Sequence, residues 1–255
     1  MPDLKSEFNK AVTRLNKAWD ALHSEQPPQD DRTKLAGQLA ELEHHDPGTR
    51  IHVEKVALYA YKLVLALGYD EDIAVFMRNA IKLHDTGKNN MPSELLYNAR
   101  QLKPEEFEQI KMHTIDGAHM LLDASSGSLG VLAAEIALYH HERLDGSGYH
   151  GLKGEDIPWY VRIASIADTF EAMTNETRSY QNALSPQDAI EKMQDAQDAA
   201  SGNFFDPEMF EAFKQIAEQV HAEATQYIGE GITKKAKNIT EIRSLIYGTR
   251  KPSNS

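Results

Sequence analysis

Apolar residues recur every three or four positions along most of the chain, as in amphipathic helices, and no segment alternates apolar and polar residues like a half-buried strand. The first apolar stripe predicts a helix from Leu4 to about His23, ahead of a proline-containing linker at 26–31. A weaker pattern predicts a second helix from Arg32 to about His44. These two helices form a predicted extension that packs on the main domain or pairs with a second copy of the chain.

The pattern strengthens from Thr49, where a long apolar face continues to Leu67 and ends at Gly68. Further helices are predicted wherever the same spacing returns: 70–83, 104–122, 131–141, around Phe170, after Ser185-Pro186 and around Phe210 and Phe213. The sequence therefore predicts an all-α protein. Its predicted units are a helical extension at 1–45, a main helical domain at 46–225 and a basic C-terminal helix and tail at 226–255.

Composition restricts the chemistry and the partners of this chain. Its 255 residues can bury a substantial core, and it contains no cysteine, so imidazole and oxygen ligands must hold any metal. The formal net charge of -12 argues against broad binding to nucleic-acid polymers, although the tail from Lys234 is basic. The N-terminus lacks the apolar run of a signal peptide, and no stretch reaches the length of a membrane span. We therefore expect a cytoplasmic protein without a membrane partner.

The candidate chemistry centres on His84-Asp85-Thr86-Gly87-Lys88, a short polar segment directly after a predicted helix. One imidazole, one carboxylate able to bridge two cations and one ammonium able to hold a phosphate oxygen suit a metal-dependent phosphohydrolase. Taken alone, such a segment is more often a helix cap beside a surface histidine. The pair His140-His141 ends another apolar helix, and two buried imidazoles need hydrogen-bond partners or a metal. A glycine-rich loop follows at 146–151.

The segment 140–149 resembles the HHExxDGxGYP signature of the HD-GYP family, a branch of the HD-domain metal phosphohydrolases. Other family motifs follow in the family's order: HDxGK is matched by 84–88, GLxGxxIP by 151–158 and RIxxIAD by 162–168, and 111–113 resembles the MKxH region with its order locally changed. The resemblance extends from about Thr49 to Phe210. It implies an HD-domain helical bundle that carries an N-terminal helical extension.

The resemblance also implies a centre of two metal ions. The positions that match the family's metal ligands are His52, His84, Asp85, His113, His140, His141 and Asp168. Asp85 is expected to bridge the ions, with His52, His84 and Asp168 on one and the other three histidines on the second. Family members with a third metal carry an acid four residues before the first ligand histidine, where this chain has Gly48. We therefore expect two divalent cations, Fe or Mn, which suit mixed imidazole and carboxylate ligands.

The family's substrate is a cyclic dinucleotide, typically cyclic di-GMP, which is opened to linear pGpG and in some members cut again to GMP. The resemblance thus implies an enzyme, a phosphodiesterase in which a hydroxide bridging the two cations attacks the phosphorus. Asp85 and Lys88 are the predicted catalytic residues, with Lys88 stabilising negative charge on the phosphoryl oxygens. The predicted substrate contacts are Lys88, Arg143, Arg178 and Tyr180, and with two metals pGpG is the expected main product.

The sequence departs from the family pattern in the loops around the predicted site. Ser179 and Gln181 stand where proline and a basic residue are common, and His150 replaces the proline of the GYP run. We expect His150 to face solvent. These departures leave two alternatives open: a weakly active nucleotide-binding or scaffold protein, and a phosphohydrolase acting on another cyclic dinucleotide or nucleotide. A homodimer or a signalling partner bound through the N-terminal helices or the 146–151 loop is a further expectation.

Overall fold

The computed structural model describes residues 3–24, 26, 28–45, 47–96, 100, 103–175, 183–200 and 203–247, with side chains for all of them except 43–48 and 228–247. Within these residues the chain forms helices and no strand, which confirms the predicted all-α fold. The α-helices are α1 (Leu4–Leu22), α2 (Arg32–His45), α3 (Pro47–Ala66), α4 (Glu71–Ile81), α5 (Ser93–Leu96), α6 (Pro104–Ala124), α7 (Ser128–Tyr139), α8 (Trp159–Thr174), α9 (Pro186–Ala199) and α10 (Pro207–Tyr247). Short 3-10 helices at Thr86–Asn90 and Gly154–Asp156 lie in the connections.

Helix α3 lies at the centre of the fold, where it packs against α4, α8 and α10. Three fully buried rings join these helices: Tyr59 of α3, Phe170 of α8 and Phe213 of α10. Their centroids lie 5.4 Å (Tyr59 to Phe170) and 5.0 Å (Phe170 to Phe213) apart in edge-to-face arrangements. Such pairs contribute roughly 0.5–1.5 kcal/mol each beyond the burial of their apolar area. This cluster fixes the helices that carry two of the predicted ligands.

Helix α7 is apolar around most of its circumference, and nine of its twelve residues are buried. A helix of this composition belongs inside a bundle rather than on its surface. It packs against α1, α4, α6 and α8, and it delivers the His140-His141 pair into the interior at its C-terminal end. None of the described helices combines the length and the apolar composition that a bilayer span requires.

The N-terminal extension packs on the main helices, which is one of the two arrangements that the sequence left open. Helix α1 lies against α6 and α7, and its Ala11 and Leu15 are buried in the same core as the residues of the main domain. The indole nitrogen of Trp19 donates a hydrogen bond of 2.9 Å to Glu135 Oε2 in α7. Arg14 forms an ion pair of 2.5 Å with Asp123 in α6. The extension therefore shares both apolar and polar contacts with the bundle.

The observed helix ends agree with the apolar pattern to within a few residues. Helix α3 begins at Pro47 rather than Thr49, since proline is well accommodated in the first turn of a helix. Gly68 follows α3 with a φ of 85°, a conformation that favours glycine. Helix α10 continues without a break across residue 225, so the predicted unit boundary there stays a prediction that no change of backbone structure marks.

Candidate metal centre

The seven predicted ligands come from four helices and one turn, and the structure brings all of them together. His52 lies in α3, His113 in α6, His140 and His141 at the end of α7, and Asp168 in α8. His84 and Asp85 lie in the turn between α4 and the Thr86–Asn90 helix. All are buried except His141, of whose side chain 21% is exposed.

The turn that carries His84 and Asp85 is held directly against α6. Gly87 makes this possible, because a Cβ atom at this position would lie 1.9 Å from the backbone oxygen of His113. The hydroxyl of Thr86 also donates a hydrogen bond of 2.8 Å to the Leu83 carbonyl, which tightens the turn. The glycine of the HDxGK motif is therefore required for packing, and this packing places Asp85 beside His113.

One group of candidate ligands consists of His52, His84 and Asp85, whose ligand atoms all lie within 4.8 Å of one another. The Nε2 atom of His52 lies 3.2 Å from Asp85 Oδ2, 3.3 Å from His84 Nε2 and 3.3 Å from Asp168 Oδ1. Asp168 thereby completes this group.

The second group consists of His113, His140 and His141, whose ligand atoms also lie within 4.8 Å of one another. Asp85 lies between the two groups. Its Oδ2 faces the first group, and its Oδ1 lies 3.5 Å from His113 Nε2 and 3.8 Å from His140 Nε2. A carboxylate in this position can offer one oxygen to each of two cations.

Backbone carbonyls determine which ring nitrogen of three histidines is available as a ligand. In each ring the Nδ1 atom contacts a carbonyl of the preceding turn: Ile81 for His84 (2.8 Å), Ile110 for His113 (2.6 Å) and Ala137 for His140 (3.0 Å). A carbonyl oxygen only accepts, so Nδ1 carries the hydrogen and the Nε2 lone pair faces the centre. Metal-ligating histidines characteristically use this arrangement.

Glu171 performs the same task for His52, and the sequence analysis did not identify it. This glutamate is fully buried in α8, and its Oε2 lies 2.5 Å from His52 Nδ1. The available signal was its position three residues after Asp168, because such spacing places both carboxylates on one face of a helix. Asp168 points at the Nε2 atom of His52 and Glu171 at its Nδ1 atom.

The charges of the centre separate into a protonated and an unprotonated part. Burial opposes protonation of His52, but the carboxylates of Glu171, Asp85 and Asp168 raise its pKa to about 9. Burial lowers the pKa of His113 to about 4 and that of His140 to about 3, so both imidazoles are neutral near pH 7.

The two aspartates remain ionised although they are buried. Burial by itself raises a carboxyl pKa, but Lys88 and His84 hold the pKa of Asp85 well below its usual range. In the same way His52, His84 and His140 outweigh burial at Asp168 and lower its pKa. The centre therefore presents two ionised carboxylates and the neutral imidazoles of His113 and His140, which are the protonation states that metal binding needs, whereas His52 must lose a proton before it can bind a metal.

The residues present fit divalent cations. Asp85 Oδ1 is buried and forms no hydrogen bond, although an unsatisfied carboxylate oxygen is costly inside a protein. Several imidazole lone pairs converge on the same space. Nitrogen and oxygen donors without thiolate are suited to metals such as Fe, Mn and Zn rather than to softer ions.

The predicted substrate contacts lie in different surroundings. Lys88 forms an ion pair with Asp85 Oδ2 at the edge of the centre, and 22% of its side chain is exposed. Arg143 donates hydrogen bonds to Ser165 and Thr169, and its guanidinium lies 5.1 Å from the centroid of the Phe204 ring. Its contact with substrate therefore stays a prediction. The remaining two predicted contacts, Arg178 and Tyr180, lie outside the described residues.

A buried carboxylate holds the loop beside the centre. Glu142 accepts hydrogen bonds of 2.8 Å from the backbone N–H groups of His150 and Leu152. Gly148 packs on Glu142 so closely that a Cβ atom would lie 2.5 Å from Glu142 Cα. The loop places the Tyr149 ring 4.4 Å from the His141 ring, measured between centroids.

The expectation that His150 faces solvent is wrong. Its ring stacks on Phe8 of α1 at a centroid distance of 4.1 Å, and its Nε2 lies 3.0 Å from the hydroxyl of Thr114. The ring fills the space between α1 and α6, which the local sequence could not reveal because Phe8 is distant along the chain. The role of the 146–151 loop as a partner surface stays a prediction.

Comparisons with known proteins agree with this geometry. A family model described as HD domain matches residues 37–209. A cyclic di-GMP phosphodiesterase of Thermotoga maritima is 37% identical over 70% of this chain and 47% of its own length. A 3′3′-cGAMP-specific phosphodiesterase 2 of Vibrio cholerae is 37% identical over 64% of this chain and 30% of its own length. The chain thus spans less than half the length of these curated relatives.

A solved structure supports the same fold. The HDG"Y"P protein Bd1817 from Bdellovibrio bacteriovorus superposes with a TM-score of 0.55 at 18% identity, covering 84% of this chain and 64% of the other. The family model covers most of the chain, and the signature motifs lie where the fold requires ligands. The chain belongs to the HD-domain family, within its HD-GYP branch.

Proposed function

We propose that this chain is a metal-dependent phosphodiesterase that hydrolyses a cyclic dinucleotide, with cyclic di-GMP as the leading candidate. The observation that carries the proposal is the position of Asp85 between two groups of imidazole ligands. The two curated relatives described above are named for phosphodiesterases of cyclic di-GMP and of 3′3′-cGAMP. Both substrates are cyclic dinucleotides, so the relatives support the substrate class and leave the choice of bases to experiment.

We assign one cation to His52, His84 and Asp168, the other to His113, His140 and His141, and a bridging role to Asp85. Two divalent cations, Fe or Mn by the character of these ligands, supply Lewis-acid activation of water and neutralise charge on the phosphodiester. The chain contributes ionised Asp85 and Asp168 and neutral His113 and His140. His52 must lose a proton before it can bind a metal, because its pKa is raised.

Lys88 is assigned to charge stabilisation in the transition state. Its ammonium group lies against Asp85 at the edge of the centre, with part of its side chain exposed. As the phosphodiester is attacked, negative charge grows on its non-bridging oxygens, and a fixed cation there stabilises the transition state more than the ground state. The net charge of -12 makes such a local cation necessary for an anionic substrate.

The direct test is turnover by protein purified without oxygen and loaded with Mn²⁺ or Fe²⁺. Cyclic di-GMP, 3′3′-cGAMP and cyclic di-AMP are supplied in parallel, and the products are separated by chromatography. We expect linear pGpG as the main product from cyclic di-GMP. Asp85→Ala is expected to abolish turnover and to release metal, because one carboxylate serves both groups. Asp72→Ala, which removes an exposed acid of α4, is the matched control.

The results separate the proposed function from its alternatives. A metal-loaded protein that hydrolyses none of the three nucleotides would overturn the proposal, and tight binding without turnover would favour a scaffold role. An Asp85→Ala variant that keeps its metal and its rate would contradict the assignment of the centre. Turnover of 3′3′-cGAMP or cyclic di-AMP alone would keep the enzyme class and change the substrate.

A further inference from the structure

Two aromatic rings stand at right angles beside the metal centre. Phe107 of α6 and Tyr149 of the glycine-rich loop are 5.7 Å apart between centroids, with an interplanar angle of 83°. Tyr149 faces inward, where its ring contacts His141 and lies 6.4 Å from the His113 ring. Phe107 lies one ring farther out, and 42% of its surface is exposed. The rings thus form a continuous aromatic path from the candidate ligands to solvent.

A cation holds this pair of rings. Lys111 Nζ lies 5.2 Å from the centroid of Phe107 and 5.7 Å from that of Tyr149. The same ammonium forms an ion pair of 2.6 Å with Glu108, and only 17% of the Lys111 side chain is exposed. Cation–π contacts orient both rings and place the ammonium beside each of them.

The position of Phe107 distinguishes it from other exposed apolar side chains. A single exposed aromatic residue is common on protein surfaces and needs no explanation. Phe76 of α4 is exposed to a similar extent, 38%, yet no ring contact joins it to a candidate ligand within the described residues. Among the exposed large apolar side chains that the structure describes, Phe107 alone is joined through Tyr149 to His141. Its ring is one aromatic contact removed from the ring that lies against His141.

We propose that Phe107 is a stacking platform for one base of the cyclic dinucleotide, held in orientation by Lys111 and Tyr149; this inference rests on the proposed function. A phosphodiester bound at the centre is flanked by two nucleosides, and their bases must extend beyond it. Every base has a flat π-face, so an exposed aromatic ring can stack on any base without base-specific hydrogen bonds. The subsite therefore contributes to substrate affinity and takes no part in bond cleavage.

The test compares Phe107→Leu, Phe107→Trp and the matched control Phe76→Leu in the Mn²⁺-loaded full chain. Loss of one stacked base corresponds to about a ten-fold rise in KM for cyclic di-GMP. We expect Phe107→Leu to show this rise with kcat and metal content within about two-fold of the wild type. Phe107→Trp is expected to retain the wild-type KM, because indole also stacks. Phe76→Leu is expected to change neither constant.

A second measurement uses binding alone. When the Phe107→Trp protein is mixed rapidly with cyclic di-GMP, stacking on the new indole should quench its emission before turnover, relative to the wild type with only Trp19 and Trp159. The stacking role of Phe107 would be refuted if Phe107→Leu left KM unchanged. It would also be refuted if this variant lowered kcat or metal content instead of raising KM. If the wild type hydrolyses no cyclic dinucleotide, the proposed function fails. The fluorescence result still decides the platform in that case, and an absence of quenching rejects it.

Discussion

Replacing Glu171 by glutamine is the sharpest test of how the centre is built. Glu171 is fully buried and contacts the Nδ1 atom of His52, the ring nitrogen that faces away from the centre. Glutamine keeps the shape of the side chain and removes its charge. Outer partners of this kind characteristically change metal affinity by about 10–100-fold, or about 1.4–2.8 kcal/mol. Only the cation assigned to His52 should be affected.

The pKa of His52 makes the size of this effect depend on pH. In the metal-free protein this pKa is raised to about 9, so at about pH 7 a proton competes with metal at a cost of about 2.7 kcal/mol. Loss of the Glu171 charge lowers the pKa and relieves much of that competition. The loss of affinity in Glu171→Gln should therefore be smaller at about pH 7 than at about pH 8.5, by roughly ten-fold.

The assay is isothermal titration calorimetry, in which chelator-treated protein is titrated with Mn²⁺ at both pH values. We expect one of two binding events to weaken in Glu171→Gln while the other keeps its wild-type affinity. Glu135→Gln is the matched control, because Glu135 is a partly buried carboxylate of α7 whose partners are Trp19 and Tyr160 rather than a candidate ligand. Equal weakening of both events, or no weakening of either, would refute the assignment of Glu171 to the His52 cation.

Three further predictions follow from the same geometry. Gly87→Ala should lower the free energy of unfolding by about 2 kcal/mol or more in denaturant titrations, because its Cβ would overlap the backbone of His113, whereas Gly37→Ala, in open space, should not destabilise the fold. Lys88→Met should reduce kcat about 100-fold without loss of metal, measured by steady-state kinetics and elemental analysis. In denaturant titrations, the free energy of unfolding of the metal-free protein should be highest at about pH 6.5. Above that pH the raised pKa of His52 removes up to about 3 kcal/mol as pH rises to about 9, and below it the lowered pKa of His113 removes a similar amount as pH falls to about 4.

Local patterns and motifs were sufficient to predict the helices and to select candidate ligands that the fold brings together. The apolar stripe that predicted a helix from Leu4 to about His23 corresponds to α1, and the pattern that ends at Gly68 corresponds to α3. Four of the five candidate-ligand histidines lie within a motif, and His52, which lies outside these motifs, was placed by the resemblance alone. These features depend on spacing within a few turns of the chain, and spacing is visible in a sequence.

Features that depend on distant contacts were missed. Glu171 contacts His52 from another helix, and His150 stacks on Phe8 of the N-terminal extension. The apolar pattern of α1 shows that it packs on something, but not which helices receive it. The guanidinium of Arg143, a predicted substrate contact, lies against Phe204 and two hydroxyls, so that contact stays a prediction. Such assignments require the fold.

The most direct test of the centre is anomalous diffraction from crystals of the Mn²⁺-loaded protein, recorded at the manganese absorption edge. We predict two peaks on either side of Asp85, one beside His52, His84 and Asp168 and the other beside the histidines of α6 and α7. A single peak, or peaks away from the Asp85 carboxylate, would contradict the assignment of a binuclear centre.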